Sequence, residues 1–467
     1  MPIKIENINK PRSEPNMDDY CSTRRKKFSL FSSSHSTSRF SVYGLISSAC
    51  ILTLFQIHML LFSRRQPNAS PITFLPLKDL RFAATPMDGS TWFMSALNDT
   101  HEAGEAEHLL FPSYASHHKL LCLAGRDRSN GTRNSYALAP RGSLPEGAKL
   151  LKGISFVSDS YYDYENLWHG LSAVVPFMAW HGRKRCEKPE RWVLYHRGEL
   201  RVQMSPWVSS LIEAVLGEEP RIEDYAEAGD GPYCFEKAVV FRHNEGEMKG
   251  KRKEMVYEMM RCKSRVSCGL LNGGEGGEGV VRVTLLLRTG ARSFKDEKGV
   301  LNVFHSECRK VDRCRLTVAR SDNLTFCDQV KLMTETDILA SPHGAQLTNM
   351  FLMDRNSSVM EFFPKGWKQL AGAGQFVFRW IAIAAGIRHQ GAWHDPVGDP
   401  CPYADNSRCF PFYKNGRIGH DDAYLTNWTS RVIRETRDYK LTDGYRTTRR
   451  RLRTETCLCS AKEGRRS

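Results

Sequence analysis

The chain has 467 residues and a formal net charge of +15, which first suggests a nucleic-acid-binding protein. The charge is concentrated at the ends: residues 1–40 hold 8 Lys or Arg against 4 Asp or Glu, and residues 431–467 hold 12 against 5. The two ends therefore carry 11 of the 15 charges, a pattern typical of solvated tails on a globular domain. Because no zinc finger, aromatic RNA-binding motif or base-reading basic helix accompanies them, we predict no nucleic-acid partner.

The amino-terminal region predicts a membrane anchor. Residues 1–40 are serine-rich and charged, which indicates a disordered tail. Residues 42–62 are 21 consecutive residues without a charge, and a helix needs about 20 to cross a bilayer. The basic run Arg24-Arg25-Lys26-Lys27 precedes them, so the positive-inside rule places the tail in the cytosol. A buried core helix is the alternative, since Gln56 and His58 are costly in lipid.

Residues after this segment have features of a secretory lumen. Residues 64–110 contain four prolines and no sustained periodicity, as expected of a stem. Every Asn-x-Ser/Thr sequon also follows the segment, at Asn68, Asn98, Asn130, Asn323, Asn356 and Asn427. Asn356 lies in a tight link between two predicted elements, so we expect the other five to be the glycosylation sites.

Cysteine usage agrees with an oxidising compartment. Of 14 cysteines, 12 follow residue 62, an even number that favours disulfide bonds. Two pairs, Cys262/Cys268 and Cys308/Cys314, are close enough to close small loops, although pairing does not follow from sequence. Zinc has weak support, because the spacing of Cys457-Leu458-Cys459 is too tight for usual ligands.

Residues 111–271 predict an α/β domain. Apolar runs indicate strands at Gly153–Val157, Trp192–Tyr195 and Ala238–Phe241, and Ser205–Leu216 indicates a helix. The glycine-rich stretch Asn272–Gly279 then predicts a flexible domain boundary. A long surface loop inside a single domain is the alternative.

Residues 280–430 predict a second α/β domain, followed by the basic tail 431–467. Its first strand is the apolar run Val280–Leu287. A second unit consists of a strand Asp337–Ala340, a turn Ser341–Gly344, a helix Ala345–Met353 and a strand Val359–Phe363. A strand, a glycine turn and a helix form an anion site, because free N–H groups and the helix dipole point at the turn. The alternative is an ordinary βαβ unit without a ligand.

The residue identities in this unit are more specific than the spacing of its strands, turn and helix. Asp-Ile-Leu-x-x-x-His-Gly-Ala-x-Leu-Thr-Asn, followed by Val-x-Glu-x-x-Pro, resembles the signature of the family 61 glycosyltransferases. The stretches Asn323–Val330 and Leu285–Arg292 are also similar to that family, and the resemblance is strongest over residues 285–364. It implies an inverting enzyme of the secretory pathway that uses a nucleotide sugar. The family includes plant xylan xylosyl- and arabinosyltransferases, an N-glycan xylosyltransferase and animal O-linked N-acetylglucosaminyltransferases.

The resemblance also implies a fold and a donor. Two Rossmann-like domains around a cleft form the architecture called GT-B, whereas the other common glycosyltransferase fold carries an Asp-x-Asp metal site. No Asp-x-Asp occurs in this chain, which favours GT-B and predicts that no divalent metal or other cofactor is obligatory. The donor substrate is then a UDP-sugar, whose diphosphate leaves with its negative charge neutralised by protein groups.

The predicted nucleotide-sugar-binding residues are Arg288, Arg292, His343, Gly344, Ala345, Asn349 and Glu361. The two arginines follow the first strand, and Arg presents a planar fork suited to phosphate oxygens. His343 and the turn offer N–H donors to the same phosphates. Glu361 ends the next strand, where a carboxylate can accept the ribose hydroxyls. A surface arginine at 292 and an ion pair from Glu361 to Lys365 are the alternatives.

The acceptor side departs from the family pattern. Asn166, Trp168 and His169 match the family's Asn-x-aromatic-His, but Ala173 occupies the place where several members have an acid. Inversion needs a general base for the acceptor hydroxyl, and His169 is the leading candidate because histidine titrates near neutral pH. Asp163 and Glu165 are the alternative bases, and a hydrogen-bonded core histidine is the alternative for His169.

We therefore predict a single-pass type II Golgi membrane glycosyltransferase with a luminal catalytic part and a glycan acceptor. Stretches Leu121–Asp127 and Cys234–Val240 are similar to the plant branch, which favours transfer of xylose or arabinose to a polysaccharide such as xylan. A protein O-linked N-acetylglucosaminyltransferase is one alternative. A membrane-anchored, non-catalytic glycan-binding protein is another, because of Ala173. The oligomeric state does not follow from the sequence.

Overall fold

The computed structural model describes residues 103–125, 136–159, 165–196, 199–223, 231–242, 248–270, 279–442 and residue 457. All of them belong to one compact unit, Ile72–Ser467. The predicted tail 1–40, span 42–62 and most of the stem lie outside the described residues. In the part of the chain that is described, no helix is long and apolar enough to cross a bilayer.

The described chain alternates strands and helices, which confirms the predicted α/β class. The strands are β1 Leu109–Phe111, β2 Leu120–Gly125, β3 Tyr136–Arg141, β4 Lys149–Asp159, β5 Arg191–His196, β6 Glu199–Arg201, β7 Tyr233–Arg242, β8 Val281–Leu287, β9 Cys314–Arg320, β10 Ile338–Pro342, β11 Ser358–Phe363 and β12 Arg388–His394. The α-helices are α1 Leu167–Arg183, α2 Pro206–Leu216, α3 Gly250–Ser267, α4 Glu297–Arg309, α5 Phe326–Thr334, α6 Trp367–Leu370, α7 Val377–Ala385, α8 Asn406–Lys414 and α9 Asp422–Lys440. Two 3₁₀ helices, Ala345–Leu352 and Gly372–Phe376, complete the set.

The strands form two sheets. The first is seven-stranded and mixed, in the order β3-β2-β7-β4-β5-β6 with β1 also paired to β7. The second is five-stranded and entirely parallel, in the order β12-β11-β10-β8-β9. Both sheets lie in the same compact unit and the glycine-rich stretch is almost wholly outside the described residues, so the division into domains 111–271 and 280–430 stays a prediction.

Parallel strands are buried on both faces, and β10 and β11 show this fully. Every residue of Ile338–Pro342 and Ser358–Phe363 is buried. On one face, α4 and α9 pack in a cluster that includes Phe294, Phe362 and Trp428. On the other face, the 3₁₀ helix and α7 join a larger cluster that also takes in helices α1, α2 and α3. The helices of the first sheet therefore pack directly on those of the second.

The segment predicted as a helix over Ala345–Met353 is a 3₁₀ helix, Ala345–Leu352. Residues Leu347–Leu352 are all buried, so no exposed face remains to give the segment the amphipathic period of a surface α-helix. By contrast, α5 has the local signals that sequence rules recognise. Thr325 accepts from the Asp328 N–H, and the Asp328 carboxylate accepts from the Thr325 N–H, which forms a capping box.

Disulfide bonds confirm the predicted oxidised state of the cysteines. The bonds among described residues are Cys122–Cys234, Cys262–Cys457, Cys268–Cys327, Cys308–Cys314 and Cys401–Cys409, and Cys186 is also disulfide-bonded. The small loop between Cys308 and Cys314 is present, but a loop between Cys262 and Cys268 is wrong. Cys262 lies on α3 and Cys268 caps it, and six helical residues rise about 9 Å, beyond the reach of a disulfide.

Candidate functional site

The candidate site lies where the order of the parallel sheet reverses. The chain leaves β8 to form β9 on one side and then crosses back to form β10 on the other, so β8 and β10 are neighbours. Ligands of open α/β sheets bind at the carboxyl ends of strands flanking such a point. Arg288 follows β8 and His343 follows β10, and Nη1 of Arg288 donates to the His343 carbonyl oxygen at 3.3 Å.

Gly344 allows the arginines to approach the turn. A Cβ added to Gly344 would collide with Nη1 of Arg288 and would lie 3.7 Å from Nη1 of Arg292. The predicted residues Arg288, Arg292, His343 and Gly344 therefore come together, although they come from two separate parts of the sequence. Ala345 begins the 3₁₀ helix directly behind this turn.

Both guanidinium groups are partly buried and incompletely bonded. Burial lowers the pKa of Arg288, with Asp322 opposing the shift, and burial with the charge of Arg288 lowers the pKa of Arg292 to about 10. The Nε atoms of both side chains are buried and make no hydrogen bond within the described residues. Two adjacent cations with unbonded donors are costly to bury, and an anion between them would offset that cost.

Trp367 adds a third unbonded donor to this cluster. Its indole is 4% exposed, lies 4.6 Å from the His343 ring between centroids, and is 5.5 Å from the Arg292 guanidinium carbon. Its Nε1 is buried and has no hydrogen-bond partner among the described residues. The cluster therefore contains buried, unbonded N–H groups from Arg288, Arg292 and Trp367, which the sequence pattern did not identify together.

His343 is held rigidly beside these groups. Its ring is packed by Phe363 at 4.7 Å and Phe378 at 4.9 Å, and Nδ1 lies 2.6 Å from Oε1 of Glu361. Burial lowers the pKa of His343 below its ordinary value, Glu361 opposes this, and Arg292 and Arg288 add to it. A neutral ring that donates Nδ1–H to Glu361 has its lone pair on Nε2. The predicted donation from His343 to a phosphate therefore first requires that Nε2 take up a proton.

Glu361 lies between two histidines. Its side chain is 1% exposed, and its oxygens accept from His343 at 2.6 Å and from His389 Nε2 at 2.8 Å. Burial alone would raise the pKa of Glu361, but the hydrogen bonds from His343 and His389 lower it overall. Each oxygen therefore already accepts one hydrogen bond, which fixes Glu361 to the turn; binding of a ribose by Glu361 stays a prediction. Lys365, the alternative partner, donates to the Gly398 carbonyl.

Two further residues differ from the sequence analysis: His389 was not predicted as a site residue, and Asn349 was predicted to contact the nucleotide sugar. His389, on β12, was missed because its pairing with Val359 beside Glu361 is a product of sheet order and leaves no local motif. Asn349 is 1% exposed and its amide is already used. Its Oδ1 accepts from Trp207 Nε1 at 3.0 Å and its Nδ2 donates to Gln329 at 2.7 Å. Asn349 thus joins helices of the two sheets, which is a packing role.

The acceptor-side residues lie at the start of α1. Asn166 caps this helix, with its side-chain oxygen accepting from the Trp168 N–H at 3.1 Å, and the Trp168 and His169 rings are 4.7 Å apart. The helix packs against the 3₁₀ helix behind the His343 turn. Glu165 is exposed, and Asp163 lies outside the described residues. Ala173 is fully buried, so an acid at that position would face the core, not solvent.

A cavity of about 610 Å³ opens next to Arg288 at the carboxyl ends of β8 and β9. Its lining is rich in cations and consists of Arg288, Thr289, Gly290, Ser293, Phe294, Lys295, Asp296, Glu297, Lys298, Arg320 and Arg417. Arg320 is paired with Glu297 at 2.7 Å, but Lys298 and Arg417 form no salt bridge within the described residues. Its volume and charge suit a nucleotide phosphate.

Only some of the predicted glycosylation acceptors lie in the described part of the chain. Asn323 and Asn427 are exposed, whereas the Asn356 amide donates to the Tyr439 hydroxyl at 2.7 Å; Asn68, Asn98 and Asn130 lie outside the described residues. Over the described ranges, no three His, Cys, Asp or Glu side chains are grouped so as to hold a metal ion. Independence from metal stays a prediction.

Residues 167–360 match the family described as Glycosyltransferase 61, which is less than half of the chain. The matched region begins with α1 and ends within β11, so it contains His169, both arginines and the His343 turn. It supports membership of that family and hence a glycosyltransferase with a glycan acceptor. No curated protein matches the chain.

Among solved structures, one similarity is to rubredoxin oxygen:oxidoreductase from the anaerobe Desulfovibrio gigas. It has 9% sequence identity and a TM-score of 0.24, and it covers 66% of this chain and 63% of that one. The chain thus spans less than two thirds of that structure. A similarity at this level carries no argument about fold or function.

The Glu361 carboxylate generates a stability prediction. Because its folded-state pKa is lowered, its contribution is fully present above the unfolded value of about 4.3 and is lost as the pH falls through the lowered folded value. We expect Glu361→Gln to reduce the free energy of unfolding by roughly 2–3 kcal/mol at pH 7, since charged hydrogen bonds are worth about 1.5–3 kcal/mol. The difference in the free energy of unfolding between Glu361→Gln and the parent should become smaller below about pH 4.

Urea unfolding with the disulfides intact measures this difference at each pH. Glu435→Gln is the matched control, because Glu435 is exposed and paired with Arg431 on the surface of α9. We expect the control to change stability by less than about 0.5 kcal/mol. A Glu361→Gln protein as stable as the parent at pH 7 would contradict the role assigned to this carboxylate.

Proposed function

We propose that the chain is an inverting, GT-B-type glycosyltransferase that moves a sugar from a UDP-sugar to a glycan acceptor. The observation that carries the proposal is the pair of partly buried arginines, each with an unbonded Nε, at the strand-order reversal of the parallel sheet. The family match over residues 167–360 supports the reaction class. The two sheets correspond in this proposal to the two Rossmann-like halves.

In the proposed reaction, an acceptor hydroxyl oxygen attacks the anomeric carbon as the bond from that carbon to the diphosphate oxygen breaks. The negative charge that develops on the diphosphate lies against Arg288 and Arg292. Their partly buried position strengthens the interaction because little water competes for it. The Trp367 N–H and the cationic cavity beside Arg288 add further donors for the phosphates.

The proton of the acceptor hydroxyl goes to a general base near the start of α1. His169 is the proposed base, because it is a half-buried histidine on the helix that packs behind the donor turn. Glu165 and Asp163 remain the alternatives on the preceding segment. Metal is not required in this scheme, since arginines supply the positive charge that a divalent ion supplies elsewhere.

Within this class, we propose a pentose donor, UDP-xylose or UDP-arabinofuranose, and a plant-type polysaccharide acceptor such as xylan. The support is the similarity of the stretches around Cys122 and Cys234, which the structure joins by a disulfide bond. We further propose a type II orientation in the Golgi membrane, with residues 64–467 in the lumen.

A non-catalytic glycan-binding protein is the second candidate, because Ala173 occupies the position where several members of the family that this chain resembles have an acid. Donor turnover separates the two. Hydrolysis or transfer from UDP-xylose, UDP-arabinofuranose or UDP-N-acetylglucosamine by the purified full chain supports the enzyme and identifies its sugar. Nucleotide binding without turnover of any donor supports the second candidate.

The arginine pair predicts how variants bind UDP. Arg288→Ala removes a charge-assisted contact worth roughly 1.5–3 kcal/mol, so UDP affinity should fall about tenfold or more. Isothermal titration of UDP into the purified full chain measures this. Arg434→Ala is the matched control, because Arg434 is an exposed arginine on α9 and its loss should leave affinity unchanged. A melting curve of each variant excludes a loss of folding.

His169→Ala is the contrasting variant in the same titration. It should leave UDP affinity nearly unchanged and reduce turnover about 100-fold or more, the range for loss of a general base. Equal weakening of UDP binding by Arg288→Ala and His169→Ala would contradict the division between donor and acceptor residues. Unchanged turnover would show that His169 is a core histidine and would direct the test to Glu165 and Asp163.

The proposed topology predicts N-linked glycans on the catalytic part. Asn323 and Asn427 are exposed, so both acceptors are accessible to a lumenal oligosaccharyltransferase. Endoglycosidase treatment of the membrane-bound chain should increase its gel mobility, and the double variant Asn323→Gln, Asn427→Gln should show a smaller shift. If the membrane-bound chain has the same gel mobility before and after endoglycosidase treatment, a luminal location of residues 64–467 would be contradicted.

A further inference from the structure

A second cavity of about 650 Å³ lies at the carboxyl end of β12, within the size range of small-molecule sites. Its lining combines aromatic, carboxylate and apolar groups and consists of Lys295, Asp296, Trp393, Asp395, Pro396, Val397, Gly419, His420, Asp421 and Tyr424. We call it the Trp393 cavity. It shares only Lys295 and Asp296 with the cationic cavity beside Arg288.

The Trp393 cavity lies on the other face of the parallel sheet from the His343 ring. Trp393 pairs in register with Phe362, whose ring packs against Phe294 at 5.2 Å and Trp428 at 5.3 Å, on the side of α4 and α9. The next residue, Phe363, stacks instead on His343. Successive side chains of a strand point to opposite faces, so Trp393 and the His343 ring are on opposite faces of the sheet.

Two aromatic rings form an accessible wall of this cavity. Trp393 and Tyr424 lie 4.9 Å apart between centroids with an interplanar angle of 38°, and Tyr424 is 45% exposed. Trp393 is fixed by a hydrogen bond from Nε1 to the Gly419 carbonyl at 2.6 Å. The face of an aromatic ring is electron-rich and attracts the weakly positive C–H groups of a sugar ring. Exposed aromatic surface on a rigid support is typical of a binding site.

The polar groups of the cavity include acceptors that are only half used. Asp296 accepts from the Gly299 N–H through Oδ1 at 2.9 Å, and Asp421 accepts from the Tyr424 N–H through Oδ1 at 2.7 Å. The second oxygen of each carboxylate makes no hydrogen bond within the described residues, and neither does the Tyr424 hydroxyl. Such acceptors match the hydroxyl donors of a carbohydrate.

The charged residues that line the two cavities favour different ligands. Lys295 is the only lysine or arginine among the residues that line the Trp393 cavity, and it is already bonded to Asp395 at 3.0 Å and to the Val397 carbonyl at 2.6 Å. Asp296 and Asp421 then leave the cavity with negative charge, which disfavours a phosphate or an acidic sugar. The neighbouring cationic cavity favours phosphate instead.

We propose that the Trp393 cavity is a binding subsite for a neutral oligosaccharide, which holds part of the glycan acceptor at a distance from the transfer site. The identification of that oligosaccharide with the acceptor rests on the proposed glycosyltransferase function. Binding of neutral sugar units by aromatic faces and carboxylates follows from the cavity itself and does not depend on transfer.

The test is calorimetric or NMR titration of the purified full chain with xylohexaose and cellohexaose. We expect millimolar or tighter binding of at least one of them, and no binding of hexagalacturonic acid. Tyr424→Ala and Trp393→Ala should weaken binding at least tenfold. Trp380→Ala is the matched control, because Trp380 is 48% exposed on α7 and does not line the cavity, and it should bind as the parent does.

UDP titration of the same variants separates the alternatives. UDP affinity should be unchanged in Tyr424→Ala, whose exposed ring can be removed with little effect on the core. Weaker UDP binding in that variant would assign the cavity to a nucleobase and overturn the proposal. No binding of either neutral oligosaccharide, or tighter binding of the acidic one, would also overturn it. If Arg288→Ala leaves UDP affinity intact while Tyr424→Ala loses xylohexaose, the proposed donor site fails and the oligosaccharide subsite stands.

Discussion

The arrangement of the candidate site depends on one buried carboxylate. Glu361 is 1% exposed on β11 and accepts hydrogen bonds from His343 after β10 and His389 on β12. Three neighbouring strands are therefore tied together at one ionised group, which is stable in the interior only because both oxygens are bonded. With His343 fixed, the following Gly344 is also fixed, and Arg288 can lie directly against it. Loss of the carboxylate would release all of these positions together.

The second constraint is the packing of the two sheets through their helices. Trp207 on α2 donates to Asn349 of the 3₁₀ helix, and Asn349 donates to Gln329 on α5. Arg261 on α3 is 1% exposed and donates to the carbonyls of Phe351 at 2.7 Å and Ala385 at 2.6 Å. These bonds hold the segment behind the His343 turn against helices of the first sheet. The His343 turn is therefore supported from both sides, as the proposed anion site requires.

Local patterns in the sequence were sufficient for the elements and for part of the site. The strands at 281–287, 338–342 and 358–363 follow from continuous apolar runs, and Arg288 and His343 follow from their positions at strand ends. Local patterns do not reveal contacts between residues that are far apart in the sequence. The two histidine partners of Glu361 come from other strands, and Trp207, the partner of Asn349, is 142 residues away, so neither set of contacts leaves a local motif. Trp367 and His389 carry no local signal, since only strand order brings them to the turn.

A crystal structure of the chain with UDP is the most direct measurement of the central claim. We expect diphosphate oxygens within hydrogen-bonding distance, about 3 Å, of the guanidinium groups of both Arg288 and Arg292, with the Trp367 N–H as a further donor. We also expect Glu361 to stay bonded to His343 and His389 in the complex. A UDP molecule bound elsewhere on the chain, with both guanidinium groups still without an anion, would show that the two arginines do not form the donor site.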